Sequence, residues 1–308
     1  MKVLNEKSIS LCLLLSAISF QLFAQAPMIN AGDTRQVTKN VYVIPDKRIN
    51  LVPNIGIIIG ENSIMVVDTG MGPKNAKLVL EEVRKISDKP IDYLAITHFH
   101  PEHGMGAQSF PDETRIIVPL AQKAELNAKG QSYIGFFKGM SPEIADLLSD
   151  IELQQPDIAF ENKMEIDLGG QSVELYHFST AHTQGDMFVY LPDQKLLFGG
   201  DIIIERFFPI MADSDSSAVG WIDTLKQLKA LEPKIIVPGH GDVGTVDLID
   251  QMTIYLNAVK VQVSSQKKNG ATLEQTYASL IPQFSRSYSH WENPEWIKNA
   301  IERFYNEL

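Results

Sequence analysis

The sequence predicts an α/β protein in which two β-sheets pack together with helices on their outer faces. Three observations predict it. Runs of β-branched and apolar residues alternate with stretches of helical spacing, and they do so in two successive halves of the chain. Glycine and proline punctuate those runs where strands should end. The chain has 308 residues and is 44% hydrophobic, enough to bury one large core, and it shows no internal repeat or low-complexity segment.

The first residues read as an export signal. Lys2 and Lys7 supply a basic start, Ile9 to Phe23 is an apolar run short for a membrane span, and Ala24-Gln25-Ala26 offers small residues for cleavage. Cleavage after Ala24 is preferred, because Pro27 would follow the other cut; an uncleaved anchor is the competing reading. Residues 1–24 are therefore expected to be removed, leaving 25–308 as a single domain that is periplasmic or secreted, with no stable membrane association. Cys12 is the only cysteine and would leave with the signal, so the mature chain offers neither a thiolate ligand nor a cysteine nucleophile.

After the signal, Asn40 to Ile44, Ile55 to Ile59 and Ile64 to Asp68 read as strands, with Gly56 marking a bulge in the second. Pro73 to Ile86 carries apolar residues at helical spacing. Tyr93 to Thr97 and Ile116 to Pro119 are buried strands. Residues 120–162 lack strand signals and read as a helical insertion, with Ser141-Pro142-Glu143 a helix start. Strands resume at Lys163 to Leu168, Val173 to His177, Met187 to Leu191 and Lys195 to Phe198. Val219 to Leu231 is a helix and Ile235 to Val237 a strand. From about Val246 to Leu308 the pattern is a helical extension, broken at Gly270 and Pro294.

Two stretches leave alternatives open. Tyr133, Phe136, Phe137 and Met140 either wall a substrate pocket or pack a helical insertion. Arg48 to Pro53, between two strands, is either a flap over the site or an ordinary loop. The aromatic residues of the extension, among them Tyr255, Phe284, Trp291 and Phe304, read as packing over the sheets in preference to a dimer surface.

Net charge is −11, and losing Lys2, Lys7 and Glu6 would make the mature chain one charge more negative. Nucleic acid demands basic surface, so that partner is excluded and a small-molecule substrate expected.

Five of the seven histidines lie in three short segments: Thr97-His98-Phe99-His100-Pro101-Glu102-His103, Ala181-His182-Thr183 and Pro238-Gly239-His240-Gly241. Gly199-Gly200-Asp201 adds an acid. Imidazole and carboxylate suit zinc and its neighbours, and a bound divalent ion can ionise water near neutral pH. Residues two apart at a strand end point the same way, so His98 and His100 can reach one ion. Pro101 turns the chain and brings Glu102 and His103 to face a second position. His182, Asp201 and His240 each follow a strand, where α/β sheets form their sites. His177 and His290 belong to no such cluster and read as structural or surface residues.

The run His98-Phe99-His100-Pro101-Glu102-His103, followed in order by His182, Asp201 and His240, resembles the metallo-β-lactamase superfamily. Val66-Val67-Asp68-Thr69-Gly70 and Pro238-Gly239-His240-Gly241 match it as well, and the resemblance covers about residues 38 to 260. It implies an αββα sandwich and two zinc ions, with iron or manganese as alternatives. His98, His100 and His182 would bind the first ion; Glu102, His103 and His240 the second; Asp201 would bridge them, and Asp68 would steady the motif loop from behind. The family has aspartate where this chain has Glu102, whose extra methylene moves the carboxylate. The second position is therefore expected to be weaker, displaced or selective for another ion.

The resemblance implies a hydrolase in which a hydroxide held between the metals attacks a carbonyl, with Glu102 and Asp201 fixing it and passing a proton to the leaving group. Cyclic amides including β-lactams, lactones, esters and thioesters are the expected substrates. Asp201 at the bridging position looks more like glyoxalase II and the lactonases than like the established β-lactamases. Neither a Gly-x-Ser-x-Gly elbow nor a His-Glu-x-x-His helix is present, which removes acyl-enzyme hydrolases and zincins. Two other readings stand beside it: an iron-dependent sulfur dioxygenase of the same fold, and a metal-binding protein weakened in catalysis by Glu102.

Overall fold

The computed structural model describes residues 26–308, so the expected signal segment lies outside the described residues. Seven strands form the first sheet in chain order: β1 (Arg35–Thr38), β2 (Val41–Ile44), β3 (Ile55–Ile59), β4 (Ile64–Val67), β5 (Ile91–Ala95), β6 (Arg115–Pro119) and β7 (Ile158–Phe160). Neighbours are antiparallel up to β4 and parallel from β4 onward. The second sheet contains β8 (Lys163–Asp167), β9 (Ser172–Tyr176), β10 (Phe188–Leu191), β11 (Leu196–Phe198) and β12 (Ile235–Val237), in the spatial order β12-β11-β10-β9-β8. Only its β11–β12 pair is parallel.

The sheets face each other across an apolar core. Val43, Ile58, Met65 and Val67 of the first meet Val173, Leu175, Val189 and Phe198 of the second. Helix α1 (Gly72–Ile86) covers the outer face of the first sheet with Ala76, Val79 and Val83. A single helical turn, α2 (Pro101–Gly104), follows β5; the insertion then supplies α3 (Leu120–Lys138) and α4 (Pro142–Leu147). Helices α5 (Ala218–Ala230), α6 (Asp247–Lys268), α7 (Leu273–Ser287) and α8 (Ile297–Glu307) cover the second sheet. The architecture is an αββα sandwich. No helix among the described residues is long and apolar enough to cross a membrane.

Several local expectations hold for physical reasons on view. Ser141 caps α4, its hydroxyl accepting from the Ile144 amide at 3.2 Å. Gly270 ends α6 with φ of 79°, and Thr272 and Gln275 then open α7 with a reciprocal capping box. The extension's aromatic residues pack inward: Tyr255 and Phe304 are wholly buried, and Phe284 and Trp291 nearly so.

Two expectations are corrected. The insertion does contain a strand, β7, which pairs with β6 at the sheet edge. Three residues are too few to display alternation; β7 is fixed instead by Asp157, whose amide donates to the Ile116 carbonyl and whose carboxylate accepts from the Ile116 amide. Gly56 is not a bulge, since β3 stays in register with both neighbours, Gly56 lying opposite Val43 and Val67. A Cβ there would overlap the Phe198 ring of the facing sheet, so glycine is needed for the sheets to meet.

Trp221 joins this scaffold to the functional end of the molecule. It is fully buried on α5, and its indole Nε1 donates to the Ile202 carbonyl at 3.0 Å, one residue beyond Asp201. Trp221→Ala should cost about 3–5 kcal/mol of unfolding free energy. Chemical denaturation checks this; a change under about 1 kcal/mol would contradict it.

Candidate metal centre

The strand ends deliver every expected ligand to one edge of the sandwich. His98 to His103 follow β5, His182 follows β9, Asp201 follows β11 and His240 follows β12. Three overlapping groups form, each with donor atoms within 4.8 Å of one another: His98, His100 and His182; His98, His103 and Asp201; Glu102, His103 and His240. All seven side chains are buried.

Hydrogen bonds at the back of the rings decide which nitrogen faces the centre. His182 Nδ1 meets the Ile210 carbonyl at 2.7 Å and His240 Nδ1 the Val52 carbonyl at 2.9 Å. Each must donate there, so Nε2 carries the lone pair and faces inward. His103 Nδ1 lies 2.8 Å from Asp68 Oδ2 and donates there, which likewise turns Nε2 inward. Asp68 also accepts from the Thr97 amide at 2.7 Å and the Thr97 hydroxyl at 2.9 Å, and these bonds hold it at a left-handed φ of 66°.

Asp201 spans the groups. Its Oδ1 lies 3.4 Å from His103 Nε2 and 3.6 Å from His240 Nε2, while Oδ2 lies 3.9 Å from His182 Nε2. Gly239 makes this possible, because a Cβ at that position would occupy the place of Asp201 Oδ1.

The donors suit divalent cations. His98 Nε2, Glu102 Oε2, His103 Nε2 and Asp201 Oδ1 are buried with no hydrogen-bond partner, a costly arrangement that a cation would relieve. His100 Nδ1 and His182 Nε2 converge to 3.1 Å. Burial, then the charges of neighbouring imidazoles, holds His98 and His100 well below the usual histidine range. Neutral imidazole is the form that ligates. Burial also depresses His103, but Asp201 and Asp68 outweigh it and raise that ring to about 9. An ion at Nε2 therefore has to displace a proton. Burial works against the charge of Asp201 too, yet His240, His103 and His182 keep it below the ordinary carboxylate range. Burial moves Glu102 upward.

The open stretches now resolve. Tyr133 stacks on the His100 ring, with centroids 5.0 Å apart and planes 13° from parallel. Phe137 is buried in the insertion, Phe136 is exposed, and Met140 lines the cleft above the centre. The four residues thus divide between wall and packing. The Arg48–Pro53 loop lies over the centre and is tied down. Asn54 donates to the Pro238 and Gly241 carbonyls at 3.0 and 2.8 Å, and Arg48 pairs with Glu205 and Glu292. His290 is exposed, and His177 bonds the Asp186 carbonyl at 3.0 Å, both away from the centre.

One further cluster lies beside the centre. Lys129 reaches Glu125 at 2.9 Å, Asp215 at 2.7 Å and Asp213 at 3.4 Å, and Asp213 lies 4.0 Å from His100 Nε2. Glu125 lies one turn before Lys129 on α3, whereas Asp213 and Asp215 come from a segment more than 80 residues away. The ammonium already fills the place a cation would take.

Asp68→Ala should release His103 and the motif loop. Affinity for a cation at His103 is expected to fall about 10–100-fold. Competition with a chromogenic chelator reads this, and unchanged affinity would remove Asp68 from the account.

The profile of the metallo-beta-lactamase superfamily matches residues 49–240, and the chain belongs to that superfamily. It is 27% identical over 217 residues to the linear primary-alkylsulfatase of Pseudomonas sp. (strain ATCC 19151), covering 60% of this chain and 40% of that one. It is 26% identical over 212 residues to the metallo-beta-lactamase type 2 of Bacteroides fragilis, covering 67% and 76%. The solved sec-alkylsulfatase Pisa1 from Pseudomonas sp. superposes with a TM-score of 0.69 at 16% identity, over 89% of this chain and 50% of that one. The chain thus spans half or less of both alkylsulfatases.

Proposed function

We propose that the protein is an exported metal-dependent hydrolase with two zinc ions, cleaving a cyclic amide, lactone, ester or thioester. The observation that carries this reading is Asp201, which turns one oxygen toward His103 and His240 and the other toward His182. A carboxylate so shared suits two cations, with His98, His100 and His182 holding one and Glu102, His103 and His240 the other. When bound, the pair would activate water and polarise the scissile group.

The chain's own residues do the rest. Asp201 and Glu102 orient the attacking water and move its proton toward the departing nitrogen, oxygen or sulfur. Water contributes a hydroxyl to the acyl carbon and a proton to the leaving group, so no oxidant is consumed. Asp68, Ile210 and Val52 keep the imidazole tautomers correct through the bonds described above. A single iron on two histidines and a carboxylate would leave half of these buried donors without a partner, which favours two ions over the dioxygenase reading.

The named relatives widen the panel to a sulfate ester. Zinc-loaded protein should turn over at least one of nitrocefin, a lactone, a thioester and a primary alkyl sulfate, and a chelator should abolish it. Turnover of none would overturn the reading. Export rests on residues 1–24 and is checked by the N-terminal residue of the mature protein, expected to be Gln25.

A further inference from the structure

The cleft above the centre has a composition that bears on substrate choice. Its cavity volume is about 180 Å³, and Glu102 and His240 line it. Its walls come from three distant segments: Ile49 and Leu51 of the β2–β3 loop, Ile204, Phe207 and Ile210 beyond β11, and Trp296 just ahead of α8. Met140 of the insertion, with Asn50, Asn293 and Glu295, completes the lining. The C-terminal extension is thus part of the pocket as well as a cover for the second sheet.

Among the described residues, no lysine or arginine lines that cleft. The nearest candidate in sequence, Arg48, is already engaged by Glu205 and Glu292, with Asp242 at 3.7 Å. Lys129 is engaged by Glu125, Asp213 and Asp215. The fixed charge that the C-terminal segment brings to the cleft is the exposed carboxylate of Glu295.

We infer that this cleft takes an apolar acyl or alkyl chain whose far end is uncharged or cationic, and that Glu295 is a specificity residue turning away substrates with an anionic far end. The inference rests on the hydrolase reading of the metal centre and adds the substrate's character to it. Each methylene moved from water onto apolar walls should tighten binding about fourfold. A remote carboxylate near Glu295 should weaken it about tenfold at low salt, and less as salt screens the pair.

Hydroxamates test this without requiring turnover, because one end chelates zinc while the other lies in the cleft. Calorimetry on the zinc-loaded full chain would compare acetohydroxamate, hexanohydroxamate and the six-carbon hydroxamate ending in a carboxylate. Hexanohydroxamate should bind at least tenfold tighter than acetohydroxamate, and the carboxylate-ended compound about tenfold weaker than hexanohydroxamate. Glu295→Lys should erase or reverse the second difference, and Trp296→Ala should shrink the first while leaving acetohydroxamate unchanged. Equal binding of the two six-carbon compounds, or an unaltered ratio in Glu295→Lys, overturns the inference. Tight hydroxamate binding with no turnover of any ester, lactam or sulfate would instead count against the hydrolase reading alone. Failure of acetohydroxamate to bind would remove the metal centre and this inference together.

Discussion

Asp201→Ala is expected to abolish the paired metal centre. The carboxylate is buried and sits between two groups of imidazoles, its oxygens 3.4 to 3.9 Å from three ring nitrogens. Removing it takes the shared ligand and leaves no carboxylate between His182 and the pair His103 and His240. Metal content should fall from two ions per chain to one or fewer. Hydrolysis should fall about 10³-fold, roughly 4 kcal/mol of transition-state stabilisation. Asp201→Asn keeps the shape without the charge and should lose nearly as much, which separates an electrostatic role from a packing one. If either variant retains two ions and full activity, Asp201 does not bridge.

Glu102 carries the second large effect. Its carboxylate falls in one group with the ring nitrogens of His103 and His240, and its Oε2 is buried with no partner. Glu102 is buried in the first turn of α2, which begins at Pro101. Glu102→Ala should strip the second ion and cost about 100-fold in activity or more. Glu102→Asp draws the carboxylate back by about 1.5 Å, one carbon–carbon bond. It should weaken the second site and lower turnover. A large rise in turnover would show instead that the native glutamate cripples the centre. Zinc affinity and turnover measured on the two variants side by side decide between these outcomes.

Much of this was legible in the chain before any coordinates. The His98-to-His103 run and the later histidines carry strong local signals, because metal ligation needs particular residue types at strand ends. Two packed sheets with helices outside followed from the alternation of apolar runs and helical spacing, and the αββα sandwich from the resemblance. What escaped was set by tertiary contact. Strand β7 is three residues fixed by Asp157, and Gly56 is glycine because of Phe198 in the other sheet. The ties from Lys129 to Asp213 and Asp215 and the Trp221 bond to Ile202 join residues remote in sequence. The tie between Arg48 and Glu292, which fastens the β2–β3 loop to the C-terminal extension, spans 244 positions and left no trace in any local pattern.

The most direct test of the central claim is the metal stoichiometry of the purified protein, read by elemental analysis after equilibration with zinc and removal of the excess. Two zinc ions per chain, falling to one or fewer in Asp201→Ala, is the predicted result. A wild-type chain that holds none, or that holds a single ion unaffected by loss of Asp201, would contradict the paired centre.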